Sequence, residues 1–63
     1  MKLLKLVAIE QVEVGDTLIV AAQRYGVTSI EDETHGRELR LVDTDGNRKI
    51  HLEAHGEKVV IEL

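Results

Sequence analysis

Apolar and polar residues alternate along much of this chain, and the alternation predicts β-strands. It is clearest in segments 39–41, 50–54 and 59–63, where an apolar residue recurs at every second position. That period belongs to a strand and not to a helix. The segment Thr17–Ala22 is apolar on both of its faces, which is typical of a strand covered on two sides. The pattern therefore predicts an all-β domain.

Glycines divide the second half of the chain at regular intervals of ten residues, at Gly26, Gly36, Gly46 and Gly56. The chain contains no proline, and each of these glycines follows a residue that can begin a tight turn. Short apolar segments bounded by such pairs are typical of an antiparallel meander. Asp45-Gly46 is the strongest signal, because a type I′ turn needs positive φ at both central residues. We predict two-residue turns at 25–26, 35–36, 45–46 and 55–56.

These turns determine which residues face each other on neighbouring strands. In the last two hairpins the predicted pairs are Leu41 with Ile50, Leu39 with Leu52, Leu52 with Val59 and Ile50 with Ile61. Every pair is apolar, and a slip by one residue would turn all of these side chains to the opposite face.

The first two hairpins are less regular. The turn at 35–36 pairs Ile30 with Leu41, but the turn at 25–26 opposes Ile19 to Asp32. Since an aliphatic side chain does not pair well with a carboxylate, we expect a bulge or a longer loop within 24–28.

The whole chain, residues 1–63, is predicted to form a single small β-barrel domain. A first strand over 2–9 brings the total to about six antiparallel strands, and the first and last of these can close a barrel. Without closure both would be exposed edges, open to pairing between chains.

Segment 10–20 resembles the opening of many small β-barrel modules. Val14-Gly15-Asp16 precedes an apolar strand in this chain, as it does in SH3-like barrels, in intein-type β domains and in short orphan proteins of bacteriophages. The resemblance implies an SH3-like or up-and-down barrel. The chain lacks the catalytic residues of an intein, and it lacks the aromatic groove with which SH3 domains bind polyproline. The phage resemblance implies an accessory protein that binds and modulates a host protein.

Composition narrows the possible functions. The 63 residues carry a formal charge of −4, include no cysteine and have one aromatic residue, Tyr25. A domain of this size buries only about 60% of the surface that its unfolded chain exposes, so oligomerisation would add needed stability. The acidic charge and the shortage of aromatic residues disfavour nucleic-acid binding. We predict a cytoplasmic protein that neither enters the membrane nor binds a cofactor, in keeping with its lack of cysteine and of long apolar segments.

Candidate functional residues gather at one end of the predicted sheet. The turns at 35–36 and 55–56 share this end with the loop 10–16, and it is net negative, whereas the opposite end is net positive. The predicted register also places Glu33, Glu38, Glu53 and Lys58 on one face. We predict that the acidic end binds a basic surface of a partner protein through Glu33, His35, Glu38, Glu53, His55 and Glu57. A divalent metal and a merely solvated rim are the alternatives for this end.

The sequence thus predicts a non-enzymatic protein-binding module that forms a homo-oligomer. Ser29 is the single serine, no phosphate-binding loop is present, and a chain this short hardly builds a catalytic cleft. One alternative is a structural protein that acts by assembly. Another is a nucleic-acid-binding barrel that uses the basic end, formed by Lys2, Lys5, Arg24, Tyr25, Arg48 and Lys49.

Overall fold

The computed structural model describes residues 3–63, all of them in one antiparallel sheet or its connections. Its strands are β1 (Leu4–Ala8), β2 (Thr17–Val20), β3 (Gln23–Asp32), β4 (Gly36–Val42), β5 (Arg48–Ala54) and β6 (Lys58–Glu62), and a short 3-10 helix, Ile9–Gln11, follows β1. The predicted all-β fold of six antiparallel strands is confirmed. Within residues 3–63 no helix has the length and apolarity needed to cross a membrane.

The strands lie in the order β1-β6-β2-β3-β4-β5, so the meander covers only β2 to β5. The predicted hairpin of β5 with β6 is wrong. The chain does turn at 55–56, but it then crosses to insert β6 between β1 and β2. There Val59 lies opposite Val7, and Ile61 lies opposite Leu18. Val59 is buried at this place, whereas β5 turns its own apolar residues Ile50 and Leu52 to solvent.

In the described part of the chain, β1 and β5 each have one neighbouring strand, so the sheet is open and not a closed barrel. Only residues 55–57 join β5 to β6, which lie four positions apart in the sheet, so the sheet curls. We call the inner face concave, and nine buried apolar residues form the core there: Val7, Ile9, Val12, Leu18, Tyr25, Val27, Leu39, Leu41 and Val59. A single sheet has no second layer, so its own curvature and the 3-10 helix must cover this core.

The loop between β4 and β5 differs from the predicted turn at 45–46, and the difference moves the register by one residue. The loop spans Asp43–Asn47 and is closed by the Asn47 carbonyl, which accepts the Asp43 N–H at 2.9 Å. Gly46 adopts φ 86°, and the Asp43 carboxylate accepts the N–H groups of Asp45 and Asn47. Leu41 therefore lies opposite Lys49, not Ile50.

As a result, Leu39 lies opposite His51, and the predicted pairs of Leu39 and Leu41 with Leu52 and Ile50 are wrong. Ile50 and Leu52 lie on the convex face of the sheet instead. The Asp43 carboxylate, which favours a five-residue loop over a two-residue turn, supplies the physical reason.

The turn between β3 and β4 is formed by Thr34 and His35, one residue earlier than predicted. The Glu33 N–H donates to the Gly36 carbonyl across it at 2.8 Å, and Ile30 faces Leu39 instead of Leu41. This shift is by two residues, so the predicted faces are preserved. The ladder also contains an irregularity between Val27 and Ser29, which overlaps the segment where a bulge was predicted.

The turn between β2 and β3 consists of Ala21 and Ala22, and the predicted turn at 25–26 is wrong. Tyr25 and Gly26 lie within β3, opposite Leu18 and Thr17. Ala21 and Ala22 adopt φ values of 51° and 63°. These left-handed conformations match the twist of a two-residue hairpin, although each costs an alanine about 1–2 kcal/mol. The predicted strand Thr17–Ala22 accordingly ends at Val20.

Candidate functional site

His55 links three loops of the sheet that lie far apart in sequence. Its Nδ1 lies 3.0 Å from Oε2 of Glu10, and its Nε2 lies 2.9 Å from the carbonyl oxygen of Glu33. The Gly56 N–H also donates to the Glu10 carboxylate, at 3.0 Å. We call this group, Glu10, Glu33, His55 and Gly56, the His55 corner.

The geometry of the His55 corner favours a protonated imidazole. Both partners of the ring are hydrogen-bond acceptors, so only the imidazolium, with two N–H groups, can donate to both. The Glu33 carbonyl and then the Glu10 carboxylate raise the pKa of His55 above its ordinary value of 6.5. The Gly56 N–H and the His55 ring lower the pKa of Glu10 below 4.5. The polar groups of both side chains are therefore engaged in hydrogen bonds that stabilise the fold.

Arg37 secures the same end of the sheet from the concave side. Its Nη1 donates to the carbonyl oxygens of Ile9 and Val12, at 2.8 and 3.1 Å, and its Nε donates to Asp32 at 2.8 Å. These bonds give a donor to the Val12 carbonyl, just after the 3-10 helix, and a second donor to the Ile9 carbonyl, which already accepts the Val12 N–H. Sequence reasoning missed this role, since the spacing of Arg37 carries no signal of a contact with a segment 25 residues away.

The β5 strand is an open edge of the sheet. Its ladder with β4 ends in a hydrogen-bonded pair on each side. At one end the Asp43 N–H donates to the Asn47 carbonyl, and at the other end the His55 N–H donates to the His35 carbonyl. Because backbone groups alternate in direction along a strand, residues 49, 51 and 53 bond to β4, and residues 48, 50, 52 and 54 point their N–H and C=O groups to the free edge.

The side chains of β5 alternate in the same way. Ile50 and Leu52 lie on the convex face and are 58% and 67% exposed. The concave face carries Lys49, His51 and Glu53. The Lys49 ammonium lies 5.4 Å from the centre of the Tyr25 ring, and Nε2 of His51 lies 3.0 Å from Oε1 of Glu53.

Two grooves of opposite charge lie along β5. The acidic groove, about 470 Å³, is lined by Glu33, Thr34, His35, Gly36, Arg37, Leu52, Glu53 and Ala54. The basic groove, about 550 Å³, is lined by Thr28, Arg40, Leu41, Val42, Arg48, Lys49 and Ile50. The strand is thus basic at its beginning and acidic at its end.

A larger groove, about 850 Å³, lies between the turn Ala21–Ala22 and the loop Asp43–Asn47. Its wall includes the ion pair of Arg24 with Glu62, at 3.1 Å. Its lining carries Arg24 against the carboxylates of Asp43, Asp45 and Glu62, one positive charge against three negative ones, but it includes no residue of β5.

The structure places the six predicted partner-binding residues in different surroundings. Glu33, His35 and Glu53 line the acidic groove, and His55 lies in the adjoining corner. Glu38 lies opposite Leu52, on the convex face, while Glu53 lies opposite Arg37, on the concave one. Glu57 lies in the turn before β6, where its carbonyl accepts the Ile9 N–H. The prediction that Glu33, Glu38, Glu53 and Lys58 share one face is wrong. The register of β4 with β5 differs by one residue from the predicted one, and β6 does not pair with β5.

The residues of the predicted basic end are also separated. Arg24 pairs with Glu62, and Lys5 lies on β1 opposite Ile61. The Tyr25 ring is 9% exposed and lies under Lys49, so its faces are not free to stack on bases. Arg48 and Lys49 remain together on β5, and Lys2 lies outside the described residues.

The described chain offers little other chemistry beside these grooves. Residues 3–63 contain no group of three or more histidine, cysteine, aspartate or glutamate side chains arranged to hold a metal ion. Comparison of the chain with protein-family models, with curated proteins and with solved structures finds no match.

Proposed function

We propose that this chain is a non-enzymatic protein-binding module that accepts an extended segment of a second polypeptide chain as an additional strand beside β5. The observation that carries the proposal is the unpaired edge of β5, which presents Ile50 and Leu52 to solvent. An added strand bonds to the free backbone groups of such an edge, and its side chains are selected by the neighbouring surface.

The two grooves define the charge of the segment that fits. The acidic groove, with Glu33 and Glu53, favours lysine or arginine beside the end of β5. The basic groove, with Arg40, Arg48 and Lys49, favours acidic residues beside its beginning. Complementary charge mainly selects the partner and its direction, while the backbone bonds and the apolar contacts supply most of the affinity.

We extend the proposal to the setting that the resemblance of segment 10–20 implies. The chain is then a cytoplasmic accessory protein of the phage type that modulates a host protein by binding it. A small, curved sheet of antiparallel strands supports the general form of an SH3-like module, one that is left open between β1 and β5.

The proposal is tested by selecting extended seven-residue peptides from a yeast-displayed library. Peptides with alternating apolar residues and lysine or arginine at one end should be enriched. Leu52→Pro should weaken their binding at least about ten-fold, which corresponds to about 1.4 kcal/mol. Proline removes an N–H that points to the free edge and leaves the ladder with β4 intact.

Leu52→Thr is the matched control, because it shortens the apolar side chain but keeps the N–H, and it should retain most of the binding. Circular dichroism of both variants verifies that they are folded. A library without enrichment, or peptides that bind Leu52→Pro as well as the wild type, would contradict the proposal.

A further inference from the structure

The β5 strand is complementary to itself when a second copy runs antiparallel to it. His51 is the middle of its seven residues, with Lys49 and Glu53 at equal distances on either side. We propose that the segment bound at β5 is the β5 strand of a second copy of this chain, paired about a two-fold axis at His51. The inference rests on the proposed function, since it names the partner for the same edge.

The backbone permits this register. In a pairing centred on His51, residue 50 lies opposite residue 52 of the second copy, and residue 48 lies opposite residue 54. These are the residues whose N–H and C=O groups point to the free edge, so each such pair forms two hydrogen bonds. The symmetric interface contains about eight backbone hydrogen bonds. Registers shifted by one residue would oppose an edge-facing residue to one that already bonds to β4.

The charges are complementary in the same register. Lys49 of each copy lies opposite Glu53 of the other, and opposite charges at facing positions stabilise a sheet. Both residues belong to non-hydrogen-bonded pairs, in which the side chains approach most closely. The basic groove of one copy is thereby aligned with the acidic groove of the other. Arg48 lies opposite Ala54, so this register opposes no like charges among the lysine, arginine and glutamate residues of the strand.

The apolar side chains meet as well. On the convex face Ile50 of each copy lies beside Leu52 of the other, and the four side chains form one continuous row. Both residues are more than half exposed in the single chain. Lateral contact between branched apolar residues at facing positions contributes to the stability of a sheet.

Other registers fit less well. A pairing centred on Ile50 opposes Lys49 to His51, and one centred on Leu52 opposes Lys49 to His55, so both lose the contact of Lys49 with Glu53. The other edge, β1, carries Lys5 and no acidic residue, so it cannot form such a pair with itself. Pairing of β5 with β1 of the next copy would leave free edges at both ends and form an open-ended chain of molecules.

Disulfide cross-linking tests the axis directly, because the chain has no native cysteine. Facing residues of a non-hydrogen-bonded pair have Cα atoms about 4.5 Å apart, which a disulfide can bridge. His51→Cys should therefore form a covalent dimer under mild oxidation. Ala54→Cys is the matched control, since it keeps Lys49 and Glu53 and residues 54 of the two copies lie about 20 Å apart along the strands. Equal cross-linking of the two variants overturns the proposal.

Charge reversal tests the register without cross-linking. Light scattering over a range of concentrations should give twice the chain mass of 7.1 kDa for the wild type. Lys49→Glu and Glu53→Lys should each weaken dimerisation at least about ten-fold, and the double variant should restore it. Thermal unfolding of the single variants at low concentration verifies that the monomer stays folded.

The outcomes separate this inference from the proposed function. A wild type that is monomeric at every concentration overturns the self-pairing, and a mass that grows steadily with concentration overturns it in favour of β5 with β1. If the monomer still binds selected peptides, and Leu52→Pro does not, the proposed function stands while the self-pairing falls. If neither peptides nor a second copy bind, both fall.

Discussion

The strands β4 and β5 are neighbours of equal length, but their apolar residues face opposite sides of the sheet. Leu39 and Leu41 of β4 are at most 1% exposed, whereas Ile50 and Leu52 of β5 are more than half exposed. The concave face of β5 carries Lys49, His51 and Glu53 instead. Alternation along a strand thus shows which residues share a face, and the connecting loop determines which face is covered.

The two strands therefore have different roles in the molecule. In β4 the apolar residues hold the core together, and exchanging them weakens the fold. In β5 they lie exposed on an open edge, where we expect exchanging them to change binding and not the fold. Large exposed apolar side chains in a row, rimmed by charges, are typical of an interaction surface.

The largest expected effect comes from truncating leucines in the two strands. Leu39→Ala should lower the free energy of unfolding by about 2–5 kcal/mol, since it leaves a cavity in the core. The total stability of a chain of this size is about 3–9 kcal/mol, so this variant should be close to unfolding. Leu52→Ala, the matched substitution in β5, should change the stability of the monomer by at most about 0.5 kcal/mol. Urea unfolding followed by circular dichroism compares them, and equal losses would contradict the contrast.

A smaller effect is expected where β4 and β5 approach each other most closely. A Cβ at Gly36 would overlap the carbonyl group of Glu53, so Gly36→Ala should force the strands apart at a cost of about 1–3 kcal/mol. Gly26→Ala is the matched control. Its Cβ would lie 3.8 Å from the Val42 side chain, an ordinary contact. This variant should be neutral or more stable by about 0.4–1 kcal/mol. A reversed order of their melting temperatures would show that the strands are not held this closely.

The smallest effect concerns the His55 corner and depends on pH. Because the pKa of His55 is raised above 6.5, its contribution is complete below pH 6.5 and is lost as the pH rises through the raised value. Because the pKa of Glu10 is lowered below 4.5, its contribution is complete above pH 4.5 and is lost as the pH falls through the lowered value. The melting temperature of the wild type should therefore exceed that of His55→Gln most clearly between pH 4.5 and 6.5.

Melting temperatures of the two proteins from pH 3 to 9 measure this window. His35→Gln, a substitution of the same kind in the neighbouring turn, is the control and should follow the wild-type curve in shape. Parallel curves for the wild type and His55→Gln at every pH would exclude a role for the charged imidazole.

Local patterns of the sequence correctly predicted the class of fold. Alternating apolar residues identified six antiparallel strands, because side chains on a strand repeat every two residues whatever the strand pairs with. The ten-residue spacing of the glycines was a less reliable predictor of the turns. Gly46 and Gly56 do adopt positive φ in turns, but Gly36 lies in β4 where the backbone of β5 comes close, and Gly26 lies in β3.

The candidate site was predictable only in part. The sequence assigned Glu33, His35, Glu53 and His55 to one end of the sheet, since strands of alternating direction sort their turns to two ends. It also assigned Glu10 and Arg37 to this end but missed their contacts, because their partners lie far away along the chain. It also missed the free edge of β5, which depends on where β6 is placed.

The sequence by itself therefore determined the strands, their antiparallel direction and the acidic character of one end, all of which follow from local spacing and composition. Only the tertiary structure decided the order of the strands, the face that β5 exposes and the bonds of His55. These depend on the geometry of the loop Asp43–Asn47, which moves the register by one residue, and on burial of β6 against Val7 and Leu18. The placement of β6 depends on segments far apart along the chain, so no pattern within a single segment contains it. The loop depends on local bonds of the Asp43 carboxylate, which the Asp45-Gly46 turn signal does not reveal.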